Sequence, residues 1–120
     1  MRIAIDARMY RESGIGRYIR NLIANLQQLD KDNEYYILHL KIEYDTLVYR
    51  SNFHKVLADF RWYSLKEQIE LPNILNKIRS DLVHFPHFNV SVFYNGKFTV
   101  TIHDLIHQHF SMERSTTHGP

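Results

Sequence analysis

Between residues 6 and 23 the chain reads DARMYRESGIGRYIRNLI, where the residues that could do chemistry are Asp6, Gly14, Gly16, Arg17 and Arg20. Two glycines separated by a single residue permit positive φ and close approach of a ligand to the backbone. A helix beginning near Gly16 would offer an anion free N–H groups and partial positive charge. Arg17 and Arg20, in the first turn of such a helix, oppose its dipole unless something negative lies nearby. The chemistry this points to is phosphate binding; the alternative is that the glycines only shape a turn and the arginines extend into solvent. The spacing is not a dinucleotide fingerprint, because Asp6 and Gly14 lie far apart and Ile19 stands where a third glycine is needed. Asp6 either bonds a sugar hydroxyl or an arginine, or caps the amides of the loop that follows it.

A second set of polar residues lies toward the end of the chain: His84 and His87 in HFPHFN, and His103, Asp104, His107 and His109 in HDLIHQH. His103 directly follows the apolar run TVTI, and an imidazole at the carboxyl end of a strand either faces a cleft or needs a buried partner. Asp104 can contact a ligand or act as N-cap of a following helical turn. His103 and His107 are four apart and could share a helix face toward a metal, but Leu105 and Ile106 follow Asp104 and the glutamate of a metalloprotease motif is absent. No native metal is expected. Pro86 stiffens the HFPHF loop, whose Phe85 and Phe88 either stack on a sugar face or fill a core.

The elements that must position these residues follow from periodicity. MRIAI reads as a strand, and apolar residues at Ile15, Ile19, Leu22, Ile23, Leu26 and Leu29 give a helical period. LDKDN is punctuation, EYYILHL a second strand and FHKVLA a third, while KIEYDTLVYRSN between them has no clear period. Residues 62–80 are helical, with Leu65, Ile69, Leu75 and Ile78 on one side and Pro72 expected to kink or split the helix. DLVHF and KFTVTIHD have the continuous apolar character of buried parallel strands. The fold class predicted is α/β, a Rossmann-like open, mainly parallel sheet with flanking helices. In such a sheet ligands gather at the carboxyl ends of the strands. The glycine loop, HFPHFN and HDLIHQH all fall there.

Composition bounds the partners. With 120 residues, 44% of them hydrophobic, there is room for one domain and a core. A net charge of +2 from 15 basic and 13 acidic residues argues against nucleic acid as the main partner and fits an acidic ligand or a membrane-surface substrate equally well. There is no cysteine, which excludes a disulfide frame or thiolate metal site and fits a reducing cytosol. No window approaches the ~20 apolar residues of a membrane helix, and no basic n-region precedes a long apolar run. A soluble, unsecreted protein is expected.

Taken together, RIAIDARMY, SGIGRYIRNLI, DLVHFPHFNV and TVTIHDLIH resemble, in order, the N-terminal domain of retaining glycosyltransferases with the GT-B fold, a large group that includes bacterial mannosyltransferases. The resemblance spans roughly residues 2 to 110. It implies a two-domain enzyme, cytoplasmic or at the inner face of the membrane, which carries a sugar from a nucleotide-sugar donor to a glycan or lipid-linked acceptor without a divalent metal or other cofactor. By the same resemblance, Gly14 and Gly16 approach the donor diphosphate or the reacting sugar, and His103 contacts the transferred sugar. Asp6, Arg17, His87 and Asp104 are the further substrate contacts it suggests. The donor-binding domain, with its basic residues and paired glutamates, has no counterpart in residues 1–120. The expectation is therefore a single, incomplete acceptor-side domain that is inactive alone and has a sheet edge open to self-association. The rival readings are a stand-alone nucleotide-binding module and a histidine-metal hydrolase.

Overall fold

Strands and helices alternate along the chain: β1 (Arg2–Asp6), α1 (Gly14–Leu29), β2 (Glu34–His39), α2 (Lys41–Thr46), β3 (Phe53–Leu57), α3 (Leu65–Ile78), β4 (Leu82–Phe85) and β5 (Phe98–Val100). The computed structural model describes residues 1–86 and 97–100. The strands form one sheet in the order β3-β2-β1-β4-β5. Every neighbouring pair is parallel, with Ile5 opposite Ile37 on one side and His84 on the other. The fold is thus the α/β, Rossmann-like open sheet that the alternation predicts. Strand order runs outward in one direction from β1 to β3 and in the other from β4 to β5, so the topological switch point lies between β1 and β4.

Successive side chains of a strand face opposite ways, which divides the core between the two sheet faces. Ala4, Leu38, Val83 and Phe85 pack with Leu71, Leu75 and Ile78 of α3, together with Ala58 and Phe60. Ile5, Tyr35, Ile37 and Phe53 pack with Ile19 and Ile23 of α1. The helical period read from Ile15 to Leu26 is the face that α1 turns to the sheet, while Leu29 at its end is exposed.

In α3 the structure corrects the predicted face. Leu65 and Ile69 are 80% and 58% exposed, and the buried residues are Glu67, Leu71, Pro72, Leu75 and Ile78. A period of 3.6 does run along this helix, but its first member is a glutamate, which an apolar pattern passes over. Nor does Pro72 split the helix, which is continuous from Leu65 to Ile78. Ser64 caps it, its Oγ accepting the Glu67 N–H at 3.1 Å. We expect Ser64→Ala to cost about 1 kcal/mol, read as a lowered urea midpoint.

The stretch without a clear period contains α2, a six-residue helix supported by a Lys41–Asp45 ion pair at 3.0 Å. The Lys55 ammonium donates to the carbonyls of Tyr44 and Leu47 at its end. At the amino edge of the sheet, Asp30 accepts from the Tyr35 hydroxyl at 2.6 Å, and the Asn52 side-chain amide donates to the carbonyls of Asp30 and Asn33. That edge is fastened by side-chain bonds and leaves the carboxyl edge to carry the site. Among the described residues no helix is long and apolar enough to cross a membrane.

Candidate functional site

Asp6 ends β1 at the switch point, and its partner is an arginine, one of the alternatives its sequence position left open. Its carboxylate accepts from the Arg8 side chain twice, at 2.9 Å from Nε and 2.7 Å from Nη2, and from the Arg8 backbone N–H at 3.2 Å. Arg8 Nη2 also donates to Glu67 Oε2 at 2.5 Å, and Nη1 to the Phe60 carbonyl at 3.2 Å. Arg8 is 2% exposed and Glu67 fully buried. Burial opposes the charge on Arg8, but attraction and hydrogen bonds from Asp6 and then Glu67 outweigh it and hold the guanidinium protonated, above its usual range. The triad joins β1, α3 and the segment that links β3 to α3.

A narrow cleft opens beside this triad. Asp6, Arg8, Met9, Ile15, Ile19, Trp62, Phe85 and Pro86 line it, and its free space of about 10 Å³ is that of one water molecule. Of the three regions expected to converge, the glycine loop and the first residues of HFPHFN meet here, while HDLIHQH lies outside the described residues. A wider, shallower hollow lined by Glu70, Asn73, Ile74, Asn76, Lys77 and Arg79 lies near the other end of α3, among side chains that are exposed or half-buried. Neither the switch point nor a buried ion contributes to it.

Gly14 and Gly16 act differently from the expectation. Neither has positive φ, and both belong to the first turn of α1, which begins at Gly14 instead of near Gly16. What Gly16 supplies is close approach, since a Cβ there would sit 2.6 Å from the Tyr10 carbonyl oxygen and 2.8 Å from Arg20 Nη1. At Gly14 a Cβ would meet nothing within 4 Å. Gly16→Ala should therefore destabilise the chain by about 1–3 kcal/mol, despite the better helix propensity of alanine. Gly14→Ala should be neutral or stabilising by up to about 1 kcal/mol. Thermal melts of the two variants, moving in opposite directions or nearly so, check the contrast.

The two arginines of that turn also separate. Arg20 donates to the Tyr10 carbonyl at 2.6 Å and lies over the Tyr10 ring, which ties the glycine loop to the helix. Arg17 is exposed, and its side chain makes no hydrogen bond or ion pair among the described residues. The first turn carries no acidic residue, and Ser13 gives no side-chain cap. Farther along the carboxyl edge, buried Glu43 meets Arg11 Nε at 3.4 Å. His39, fully buried at the end of β2, bonds the Tyr49 hydroxyl through Nε2 at 2.7 Å. Its Nδ1 has no partner at hydrogen-bond distance, although Ala7 backbone lies close enough to favour the protonated ring slightly. Burial pushes the imidazole down to about 4 against the weaker opposing pull of Asp6.

On β4, His84 links the Tyr18 hydroxyl, 3.1 Å from Nε2, to Thr99 Oγ1, 2.6 Å from Nδ1. Burial lowers its pKa. His87, His103 and Asp104, with His107 and His109, lie outside the described residues. Among the described residues no three His, Asp or Glu side chains are placed to hold a metal.

The residues that sequence reasoning missed are Arg8, Glu67 and Trp62. A signal for Glu67 was present in SLKE, a serine followed three residues later by glutamate at a helix start. Nothing local announces that Arg8, two residues past a strand, is buried by an acid 59 positions away. Compared with known proteins, the chain matches no family model, no curated protein and no solved structure.

Proposed function

We propose that the chain is the acceptor-side domain of a retaining, GT-B glycosyltransferase, mannosyltransferase-like in its choice of donor. The observation that supports this reading best is the meeting of the β1 end, the first turns of α1 and the β4 end around one cleft at the switch point of a parallel sheet. On this reading a second Rossmann-like domain supplies the nucleotide-sugar site, and a glycan or lipid-linked acceptor enters over the cleft. The sugar departs from its diphosphate through a transition state with oxocarbenium character. The free amides of the first turn of α1, with exposed Arg17 one turn on, offer positive potential to the leaving diphosphate. His103 orients the transferred sugar. No metal or other cofactor enters, and the reaction belongs in the cytoplasm, at the inner face of a membrane when the acceptor is lipid-linked.

Calorimetric titration with GDP-mannose and with UDP-sugars tests the reading on this chain and on a longer version that includes a second Rossmann-like domain. The expected result is donor binding and turnover by the longer protein alone, with transfer lost in His103→Ala. Tight nucleotide binding by the 120-residue chain by itself would contradict the two-domain account and favour a stand-alone nucleotide-binding module.

A further inference from the structure

We infer that Arg61 and Trp62 form a platform for a hexose ring bearing a phosphate or carboxylate, at the mouth of the switch-point cleft. The inference rests on the glycosyltransferase reading for the class of ligand, and on the geometry of residues 58–64 for the site.

The backbone on both sides of these two residues is fastened. The Phe60 carbonyl accepts from Arg8 Nη1 at 3.2 Å and its N–H donates to Ala58 at 2.9 Å. Ser64 Oγ donates to the Arg61 carbonyl at 2.6 Å, and the Tyr63 N–H donates to Glu67 Oε1 at 2.8 Å. Tyr63 stands at φ 64°, a left-handed conformation that is strained for a bulky L-residue and lasts only where the surroundings enforce it. A buried carboxylate enforces it here. The same Glu67 holds Arg8, so the segment, β1 and α3 are set by one group of charges.

What this rigid segment presents is a cation stacked on an aromatic face. The Arg61 guanidinium sits 4.5 Å from the centroid of the Trp62 ring. Trp62 is half-buried, packs against the α1 side of the core and lines the cleft beside Asp6 and Ile15. Its indole N–H makes no hydrogen bond among the described residues, and Arg61 is exposed with no carboxylate partner among them.

Each part suits a different part of an acidic sugar. An indole face packs against the C–H face of a pyranose, and its N–H can donate to a ring hydroxyl. A planar guanidinium pairs with phosphate or carboxylate through two parallel hydrogen bonds. Arg61 covers the ring face and, as an exposed side chain, need only swing aside to meet the anionic group.

Trp62 is the single tryptophan of the chain, so fluorescence excited selectively at the indole, beyond the absorption of the tyrosines, reports on this platform. Mannose 6-phosphate is titrated into the full chain, with methyl α-mannoside, inorganic phosphate and uridine monophosphate as comparisons. The expected result is a saturable change with mannose 6-phosphate, binding about tenfold weaker for the neutral sugar, and no change with phosphate. Arg61→Gln, an exposed position, should abolish the preference for the charged sugar while far-ultraviolet circular dichroism stays the same. No saturable change with either sugar, or an equal response to phosphate or to the nucleotide, overturns the assignment. The two readings fail separately. A transferase whose acceptor KM ignores Arg61→Gln contradicts the platform alone, whereas sugar-phosphate binding by a protein that never transfers contradicts the glycosyltransferase alone.

Discussion

Arg8→Met is expected to cost about 3–5 kcal/mol of folding stability, because it removes the single cation between two carboxylates, one of them fully buried. Methionine roughly fills the volume but leaves Glu67 charged in an apolar layer and frees the Phe60 carbonyl from its donor. Much of the penalty therefore belongs to what is left behind and not to the lost pair itself. The double variant Arg8→Met, Glu67→Leu should accordingly be more stable than the sum of the two single losses predicts, with a coupling of about 2 kcal/mol. Asp6, whose side chain keeps some contact with water, tolerates the loss better than Glu67 does. Urea midpoints of the four proteins decide the matter. A single-variant cost below about 1 kcal/mol would mean that the triad contributes little and that residues 58–64 are held by packing alone.

The second large effect is set by pH. His39 is buried as the neutral ring, and its pKa is lowered from 6.5 to about 4. The unfolded chain then binds more protons than the folded one between these values, so stability falls as pH drops from about 6.5 to about 4 and levels off below. The full loss is about 3 kcal/mol. His84, also lowered by burial, adds to it with the same sign. Asp30, held well below the usual carboxylate range chiefly by the Tyr35 hydroxyl and then by Asn33, loses its stabilising contribution only at lower pH. The window from 6.5 to 4 is thus the histidine window. Urea midpoints measured from pH 7 to pH 4 should decline across it, and His39→Phe should flatten most of the decline. A wild-type curve already flat there would show that the His39 ring charges without penalty.

The sheet was legible because strands show as short runs rich in apolar, aromatic and β-branched residues, as in MRIAI, EYYILHL and DLVHF, or as alternation, as in FHKVLA. The helical period of α1 was equally plain. α3 was located, but its inward face was misread. Apolar counting selected Leu65 and Ile69, whereas the helix turns inward through Glu67, whose burial depends on Arg8 from the loop that follows β1. No local pattern encodes a pairing across 59 positions. For the same reason the convergence at the switch point was foreseeable from topology alone, while the cleft's composition was not. Trp62 reaches it from the β3–α3 segment, which looked from sequence like the start of a helix. The glycines show how a correct position can carry a different reason: Gly16 is needed for its closeness to the Tyr10 carbonyl and not for positive φ.

The claim on which the account stands is that ligands are recognised at the carboxyl edge around the switch point. Amide chemical-shift mapping of the full chain during titration with mannose 6-phosphate tests it most directly. The account predicts that, among residues 1–86, shifts are confined to 6–16, 60–64, His84 and Phe85. Shifts gathered instead around Asp30 and Asn52 at the amino edge, or along Glu70 to Arg79 on α3, or none at saturating sugar phosphate, would contradict it.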